Sequence, residues 1–168
     1  SVCYVDFSRD GQWITYVAYP EGTLWRSKLD GSERTQLTLP PLAVMNPRWS
    51  PDGKLIAFTE VSNGDRRQMG VDTPPRVYVV NAEGGGPLLV ASGKDPTWSP
   101  DGNSIAYDAG EIRILDLKTG NTTKVDGSDK FRSPRWSPDG NHIMALHEPT
   151  RRLMVLDVPQ KSWRELAG

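Results

Sequence analysis

The sequence has few of the residues that disulfides, metal sites and membrane spans require. Cys3 is its one cysteine, so neither an internal disulfide nor a thiolate metal cluster can form within the chain. No apolar run approaches the roughly 18 residues that a membrane-spanning helix needs. Lys and Arg number 20 against 21 Asp and Glu, which leaves a formal charge of −1. This balance argues against binding to nucleic acid or to an anionic membrane surface.

Sequence patterns for nucleotide binding and nucleophilic catalysis are also missing. There is no G-x-S-x-G, G-x-G-x-x-G or G-x-x-x-x-G-K-[ST]. His142 and His147 are the two histidines, and they lie five apart in one predicted strand, which sends their side chains to opposite faces. A shared metal or catalytic pair is therefore disfavoured. We expect no catalytic residue, no metal and no cofactor, and hence a protein that is not an enzyme.

What the sequence has instead is an internal repeat. The string WSPDG begins at Trp49, Trp98 and Trp136, and a degenerate copy, FSRDG, begins at Phe7. The aromatic residues that open these copies are 42, 49 and 38 residues apart. Each copy is followed, three residues after its glycine, by an isoleucine (Ile14, Ile56, Ile105 and Ile143). Four units therefore account for the chain.

The motif residues predict that each unit starts as strand, turn and strand. Proline presets φ for the second position of a turn, and glycine accepts the left-handed conformation at its end. The Ser and Asp side chains can bond nearby backbone N–H groups. We therefore assign a structural role to the motif residues Trp49, Asp52, Gly53, Trp98, Asp101, Gly102, Trp136, Asp139 and Gly140.

Two further apolar runs follow in every unit, so each unit has four short strands. The third runs are predicted at Leu24–Leu29, Val77–Ala82, Ile112–Leu117 and Leu153–Val158. The fourth runs are predicted at Thr35–Leu39, Pro87–Val90, Thr122–Val125 and Trp163–Leu166. Four strands in about 40 residues are typical of a propeller blade. We predict an all-β propeller array over 1–168, with four-stranded antiparallel blades at approximately 2–40, 44–91, 94–126 and 131–167.

Prolines agree with this placement of the strands. Pro47, Pro96 and Pro134 each lie two residues before a motif tryptophan, in the first strand of a unit. Proline removes a backbone donor and therefore belongs on an edge strand. The first strand of a propeller blade is such an edge, next to the central channel.

The pattern P-x-W-S-P-D-G-x-x-I-A-[FY] resembles the WD40-like PD40 repeat of the TolB-type β-propellers, over essentially the whole chain. The resemblance implies the fold and, by analogy, protein partners in the bacterial envelope. The chain is also similar, more loosely, to propeller regions that follow winged-helix DNA-binding domains or precede prolyl-oligopeptidase-type hydrolases. Those likenesses imply that it is part of something larger.

How the propeller closes is left open by the sequence. The first repeat starts with its own inner strand and the fourth repeat ends with its own outer strand. No strand therefore remains to close the ring by completing a blade built by the other terminus. Three arrangements follow: a closed four-bladed ring, an open arc of a longer protein, or two chains forming an eight-bladed ring. An open arc exposes apolar faces, which favours a homodimer.

Function in this architecture is expected in loops at one mouth of the channel. The longest loop, 61–76, carries Asp65, Arg66, Arg67, Gln68 and Asp72, and we add Arg48, Asp95 and Arg135 beside the inner strands. We predict a non-enzymatic scaffold that binds a protein or peptide, or a second copy of itself, in the bacterial periplasm or cytoplasm. The alternatives are the sensor part of a DNA-binding regulator, the gating domain of a serine hydrolase, or a structural repeat array without a ligand.

Overall fold

The computed structural model describes residues 1–61 and 74–166, and all of its regular structure is β. Within these described residues, sixteen strands form four antiparallel sheets, each of four strands in sequence order. The prediction of four four-stranded blades is therefore confirmed. By their contacts the residues divide into two compact units, Ser1–Lys94 and Asp95–Gly168. That residues 1–168 form one propeller region stays a prediction.

The first unit contains blades one and two. Blade one consists of β1 (Val2–Phe7), β2 (Trp13–Ala18), β3 (Thr23–Lys28) and β4 (Thr35–Gln36). Blade two consists of β5 (Ala43–Trp49), β6 (Leu55–Val61), β7 (Arg76–Asn81) and β8 (Leu88–Ser92). Its core lies between the two sheets. Blade one supplies Val17, Leu24 and Leu37, and blade two supplies Val44, Trp49, Ile56, Phe58, Val80 and Ala82.

The second unit contains blades three and four. Blade three consists of β9 (Lys94–Trp98), β10 (Ser104–Asp108), β11 (Ile112–Asp116) and β12 (Thr122–Lys124). Blade four consists of β13 (Phe131–Trp136), β14 (His142–His147), β15 (Arg152–Asp157) and β16 (Ser162–Glu165). Its core joins Ala106 and Ile112 of blade three to Phe131, Ile143, Ala145 and Leu156 of blade four.

The four Ser-x-Asp-Gly turns share one hydrogen-bond pattern. In blade two, Ser50 Oγ donates to Asp52 Oδ1 at 2.7 Å and accepts from the N–H of Leu55 at 2.9 Å. Asp52 Oδ1 also accepts from the N–H of Lys54, and Gly53 has a φ of +70°. The same bonds recur in the other blades around Ser8, Ser99 and Ser137. The turns therefore have the geometry predicted from the motif.

These serines lower the pKa of the motif aspartates. The hydrogen bond from Ser50 is the largest cause of the lowered pKa of Asp52, and Ser8, Ser99 and Ser137 act in the same way on Asp10, Asp101 and Asp139. A folded-state pKa below the unfolded value stabilises the fold at higher pH. This contribution is lost as the pH falls below the ordinary value of 3.8 toward the folded pKa.

Replacing Ser50 with alanine is expected to lower the free energy of unfolding near neutral pH. It should also make that free energy fall less steeply when the pH is lowered into the acid range. The N–H of Leu55 loses its acceptor, at a cost of about 1 kcal/mol, and the pKa of Asp52 returns toward 3.8. Urea unfolding at about pH 7 and about pH 3 measures both effects. Ser92→Ala, on the exposed end of β8, is the control; an equal loss in both variants would contradict the role of the turn.

The inner strands contain a β-bulge that the sequence analysis did not predict. Tyr4, Asn46, Asp95 and Ser133 occupy one repeat position and have φ values of 50° to 54°. The pairing of the first strand with the second shifts register at this point in blades one, two and four. Pro47, Pro96 and Pro134 directly follow the bulged residue, so the prolines lie on the edge strand as expected and also mark its irregularity.

The outer strand of blade one is shorter than predicted: β4 ends at Gln36, not Leu39. Thr38 explains the difference, because its Oγ1 accepts the hydrogen bond from the N–H of Leu24 at 2.8 Å. A side chain thus replaces a backbone acceptor near the start of β3. Ser128 Oγ does the same for the N–H of Ile112 in blade three.

Candidate functional site

Three of the predicted site residues lie on described inner strands. Arg48 on β5 and Arg135 on β13 occupy the same repeat position, directly before a motif tryptophan. Each folds its guanidinium onto its own strand and donates from Nη1 to the carbonyl of the preceding proline, at 2.8 Å and 2.7 Å. Asp95 on β9 accepts a hydrogen bond from Ser133 Oγ at 2.9 Å.

The other five predicted residues, Asp65, Arg66, Arg67, Gln68 and Asp72, lie outside the described residues. The loop to which they belong therefore remains a sequence-based prediction.

The position before the motif aromatic connects neighbouring blades in both units. Asp6 Oδ2 in blade one accepts from the backbone N–H of Trp49 in blade two at 2.9 Å. Thr97 Oγ1 in blade three accepts from the backbone N–H of Trp136 in blade four at 3.2 Å. The first blade of each unit thus has an acceptor at this position, whereas the second has arginine, which has no acceptor. Arg48 and Arg135 cannot make the same contact with a further blade.

We use the name 2–3 edge for the edge of a blade where its second strand ends and its third begins. In the second unit this edge contains the turns around 109–111 and 148–151. Because the strands are antiparallel, the start of the first strand and the end of the fourth lie there too. The Ser-x-Asp-Gly turns lie at the opposite edge.

A charged network at this 2–3 edge centres on Arg132. Its Nη1 donates to Asp108 Oδ1 of blade three at 3.1 Å, and its Nε and Nη2 both lie 2.8 Å from Glu148 Oε2. Asp108 is 1% exposed. Burial lowers the pKa of Arg132, but the hydrogen bonds and charges of Asp108 and Glu148 outweigh it and raise that pKa. The guanidinium therefore stays charged and joins two blades.

A second network on the same edge belongs to blade three. Lys124 Nζ lies 2.8 Å from Glu111 Oε2 and 3.0 Å from Asp129 Oδ1, and Arg113 Nη2 lies 2.7 Å from Glu111 Oε1. The hydrogen bond from Lys124 is the largest cause of the lowered pKa values of Glu111 and Asp129. The bond to Glu111 is the main cause of the raised pKa of Lys124. Cations and anions therefore lie side by side at the 2–3 edge.

Sequence reasoning did not find these networks, because they belong to no motif and the contacts that join their parts are between residues far apart in the sequence. Arg132 and Asp108 are 24 residues apart and lie in different blades. One signal was present: Glu111, Lys124, Asp129 and Arg132 all lie at predicted strand ends on the same side of the blades.

The two histidines have different neighbours. His142 Nδ1 lies 4.0 Å from Asp139 Oδ1, whereas His147 Nδ1 is 2.8 Å from Thr150 Oγ1 and its ring packs against Phe131. Within residues 1–61 and 74–166, no three His, Cys, Asp or Glu side chains are grouped in a way that could hold a metal ion. The described part of the chain also contains no helix with the length and hydropathy to cross a membrane.

Four repeated, four-stranded antiparallel blades with a Ser-x-Asp-Gly turn between their first two strands define a β-propeller protein. A sequence model of PD40, the TolB beta propeller domain, matches residues 4–167, and the chain therefore belongs to this family.

Known proteins agree with this assignment. Over 66 residues, 39% of the chain, it is 30% identical to the Tol-Pal system protein TolB of Syntrophus aciditrophicus (strain SB). The structure of a TolB from Agrobacterium tumefaciens superimposes with a TM-score of 0.77 at 21% identity, over 100% of this chain. A chain of a nidogen/laminin complex superimposes with a TM-score of 0.72 at 14% identity, over 99% of this chain. The two structural likenesses concern the fold.

The chain spans only part of these proteins. The matched stretch is 13% of the Syntrophus protein, and the chain covers 62% of the Agrobacterium TolB and 62% of the nidogen/laminin chain.

Proposed function

We propose that the chain is a non-enzymatic propeller module that binds a protein or peptide partner through the 2–3 edge of its blades. The observation that carries the proposal is the pair of charged networks at that edge in the second unit. They hold Arg132, Glu148, Lys124 and Asp129 in defined positions with both signs of charge side by side. A surface that carries both signs of charge matches the mixed charges of a protein partner better than the uniform charge of a nucleic acid.

Ordered ion pairs favour recognition because their side chains are already fixed. A flexible surface lysine or glutamate loses rotamer freedom when a partner binds, whereas a side chain held by neighbouring charges loses less. Arg132 is fixed by a buried aspartate, and Lys124 is fixed by two carboxylates. The names of the relatives support a protein partner as well: one belongs to the Tol-Pal system and another was solved in a protein complex.

Substituting two exposed network residues together, Lys124→Ala and Glu148→Ala, is expected to weaken peptide binding at least about tenfold. Peptides selected from a displayed library on the wild-type protein are the probe, and titration calorimetry gives their Kd for each variant. Both substitutions leave Arg132 paired with Asp108, so the fold is retained.

The matched control is Lys118→Ala, the same substitution in the same blade but at the opposite edge, where Lys118 follows β11. Its affinity for the selected peptides should equal that of the wild type. Peptides that lose affinity in the control, but keep it in the double variant, would place the site at the Ser-x-Asp-Gly edge and refute the proposal.

A further inference from the structure

Arg26 is a buried cation at a position that is apolar in the other three blades. It lies on β3, reaches toward blade two, and has a side chain that is 9% exposed. In every blade this position pairs with the residue that follows the repeated isoleucine, so its equivalents are Val79, Ile114 and Val155. A buried charge is costly, whereas an aliphatic side chain at the same place is stabilised by burial. The arginine therefore indicates a role that packing alone does not require.

The partner of this cation is Glu83 of blade two. Arg26 Nη1 and Nη2 donate to Glu83 Oε1 and Oε2, both at 2.8 Å, so the two groups form a bidentate pair. The pair is unequal in burial, because the Glu83 side chain is 77% exposed and that of Arg26 is 9% exposed. Water can solvate the carboxylate without the arginine, whereas the guanidinium needs an anion to offset its burial. Glu83 thus occupies a position at which Arg26 requires a carboxylate, although not this particular one.

The guanidinium has more binding capacity than Glu83 uses. Arg26 Nε is buried and donates to no acceptor among the residues that the structure describes. Trp13 covers one face of the guanidinium, with Arg26 Cζ 4.4 Å from the ring centre, and this cation–π contact fixes its orientation. Lys28 Nζ lies 5.6 Å from the centre of the same ring and adds a second positive charge. An oriented guanidinium with a further N–H to donate, next to a second cation, suits an oxyanion.

The Glu83 side chain can leave Arg26 without disturbing the sheet. Glu83 lies between β7 and β8, directly before the three glycines at 84–86. Its backbone N–H donates to Asn81 Oδ1 at 2.8 Å, so the main chain stays in place while the side chain rotates. A β-carbon added at any of the three glycines would meet no atom within 4 Å, so no neighbour packs closely over this turn. Rotation of the Glu83 side chain into water therefore gives a ligand access to the guanidinium.

We propose that Arg26 is the centre of a carboxylate-binding site, which Glu83 occupies until the carboxylate of a ligand displaces it. The ligand class follows from the bidentate geometry, because two hydrogen bonds of equal length already hold a carboxylate there. An acidic side chain of a protein segment and a free small carboxylate share this chemistry. The site lies at the Ser-x-Asp-Gly edge of the first unit, and it goes beyond the proposed function, which concerns the 2–3 edge.

Titration of Glu83→Ala with sodium acetate near neutral pH tests the proposal. Heteronuclear NMR should show a saturable shift of the Arg26 Nε–H signal, which is identified by its loss in Arg26→Leu. The wild type should give the same shift with a Kd at least about tenfold higher, because Glu83 competes for the site. Acetate should also raise the urea midpoint of Glu83→Ala, since a ligand of the folded state stabilises it, whereas sodium chloride at equal ionic strength should not.

Glu83→Gln keeps the test decisive if Glu83→Ala does not fold. Its amide oxygen can still accept from Arg26 but carries no charge, so its affinity for acetate should lie between those of the wild type and Glu83→Ala. The peptide acetyl-Gly-Glu-Gly-amide, with its Gln counterpart as the uncharged control, distinguishes the two sources of a carboxylate. Tighter binding than acetate assigns the site to a protein side chain, and equal or weaker binding assigns it to a free carboxylate.

Glu33→Ala is the matched control, because it removes the carboxylate from another ion pair beside the same tryptophan. Its partner Lys28 is 39% exposed, so acetate should not raise the urea midpoint of this variant. Arg26→Leu combined with Glu83→Ala has an aliphatic residue as in the other blades, and should fold and lose the acetate response. No Arg26 shift in the wild type or in Glu83→Ala, equal affinities of these two proteins, or an equal midpoint increase in either control would overturn the proposal. The peptide test of the 2–3 edge uses substitutions in the second unit and stands apart from each of these outcomes.

Discussion

Leu24→Ala is expected to lower the free energy of unfolding of the first unit by about 2–5 kcal/mol, the range for buried leucines. Leu24 is fully buried in the core between blades one and two. Its backbone is held on both sides, since it pairs with Val17 and its N–H donates to Thr38 Oγ1. The two sheets therefore cannot close over the space that the side chain leaves, and the cavity persists.

Leu88→Ala makes the same chemical change at a position that is 67% exposed, and is expected to stay within about 0.5 kcal/mol of the wild type. Urea unfolding monitored by far-UV circular dichroism measures both variants. Because the chain has two compact units, it can unfold in more than one transition. The midpoints to compare are those of the transition that shifts to lower urea concentration in Leu24→Ala. Equal losses in the two variants would mean that the blade-one and blade-two core does not stabilise the unit.

The sequence predicted local geometry well because the information for it is local. In each Ser-x-Asp-Gly turn, the serine, the aspartate and the backbone groups that they bind lie within six residues of one another. Recurrence of the motif then revealed the number of blades, and proline marked the edge strand. The β-bulge was missed because four different residue types occupy its position, and register with the second strand determines its backbone.

The candidate site was predicted less well, for a physical reason. Arg48 and Arg135 were chosen because they lie beside the inner strands, and the structure places them in equivalent, folded-back positions there. The ordered charges at the 2–3 edge depend on contacts between blades, such as that of Arg132 with Asp108. Isolated charged residues in a sequence do not show which of them will meet, since the pairing follows from the register of strands distant in sequence.

Arg132→Ala is expected to lower the free energy of unfolding of the second unit by about 3 kcal/mol, the lower end of the range for breaking a buried ion pair, because the Arg132 side chain is itself partly exposed. The Asp108 side chain is fully buried, and without Arg132 its carboxylate loses the guanidinium charge that accompanies it into the interior. Removing one partner of a buried pair costs more than the pair contributes, because the remaining charge stays desolvated. Urea unfolding measures the loss.

Arg152→Ala is the matched control. Arg152 lies 2.7 Å from Glu165 Oε2, a distance as short as those in the Arg132 network, but both side chains are exposed. Exposed ion pairs contribute about 1 kcal/mol or less, so this variant should remain close to the wild type. The comparison separates burial from ion-pair geometry.

Adding Asp108→Asn to Arg132→Ala distinguishes two causes of the loss. One is the desolvated Asp108 carboxylate, and the other is the lost packing of the Arg132 side chain. The amide oxygen of asparagine can still accept the N–H of Gly110, which Asp108 Oδ1 binds at 2.9 Å, but it carries no charge. If desolvation of the carboxylate causes the loss, the double variant should be more stable than Arg132→Ala alone, so that the two changes are strongly non-additive. If the double variant is instead less stable by the sum of both changes, Arg132 stabilises the unit through the packing of its side chain.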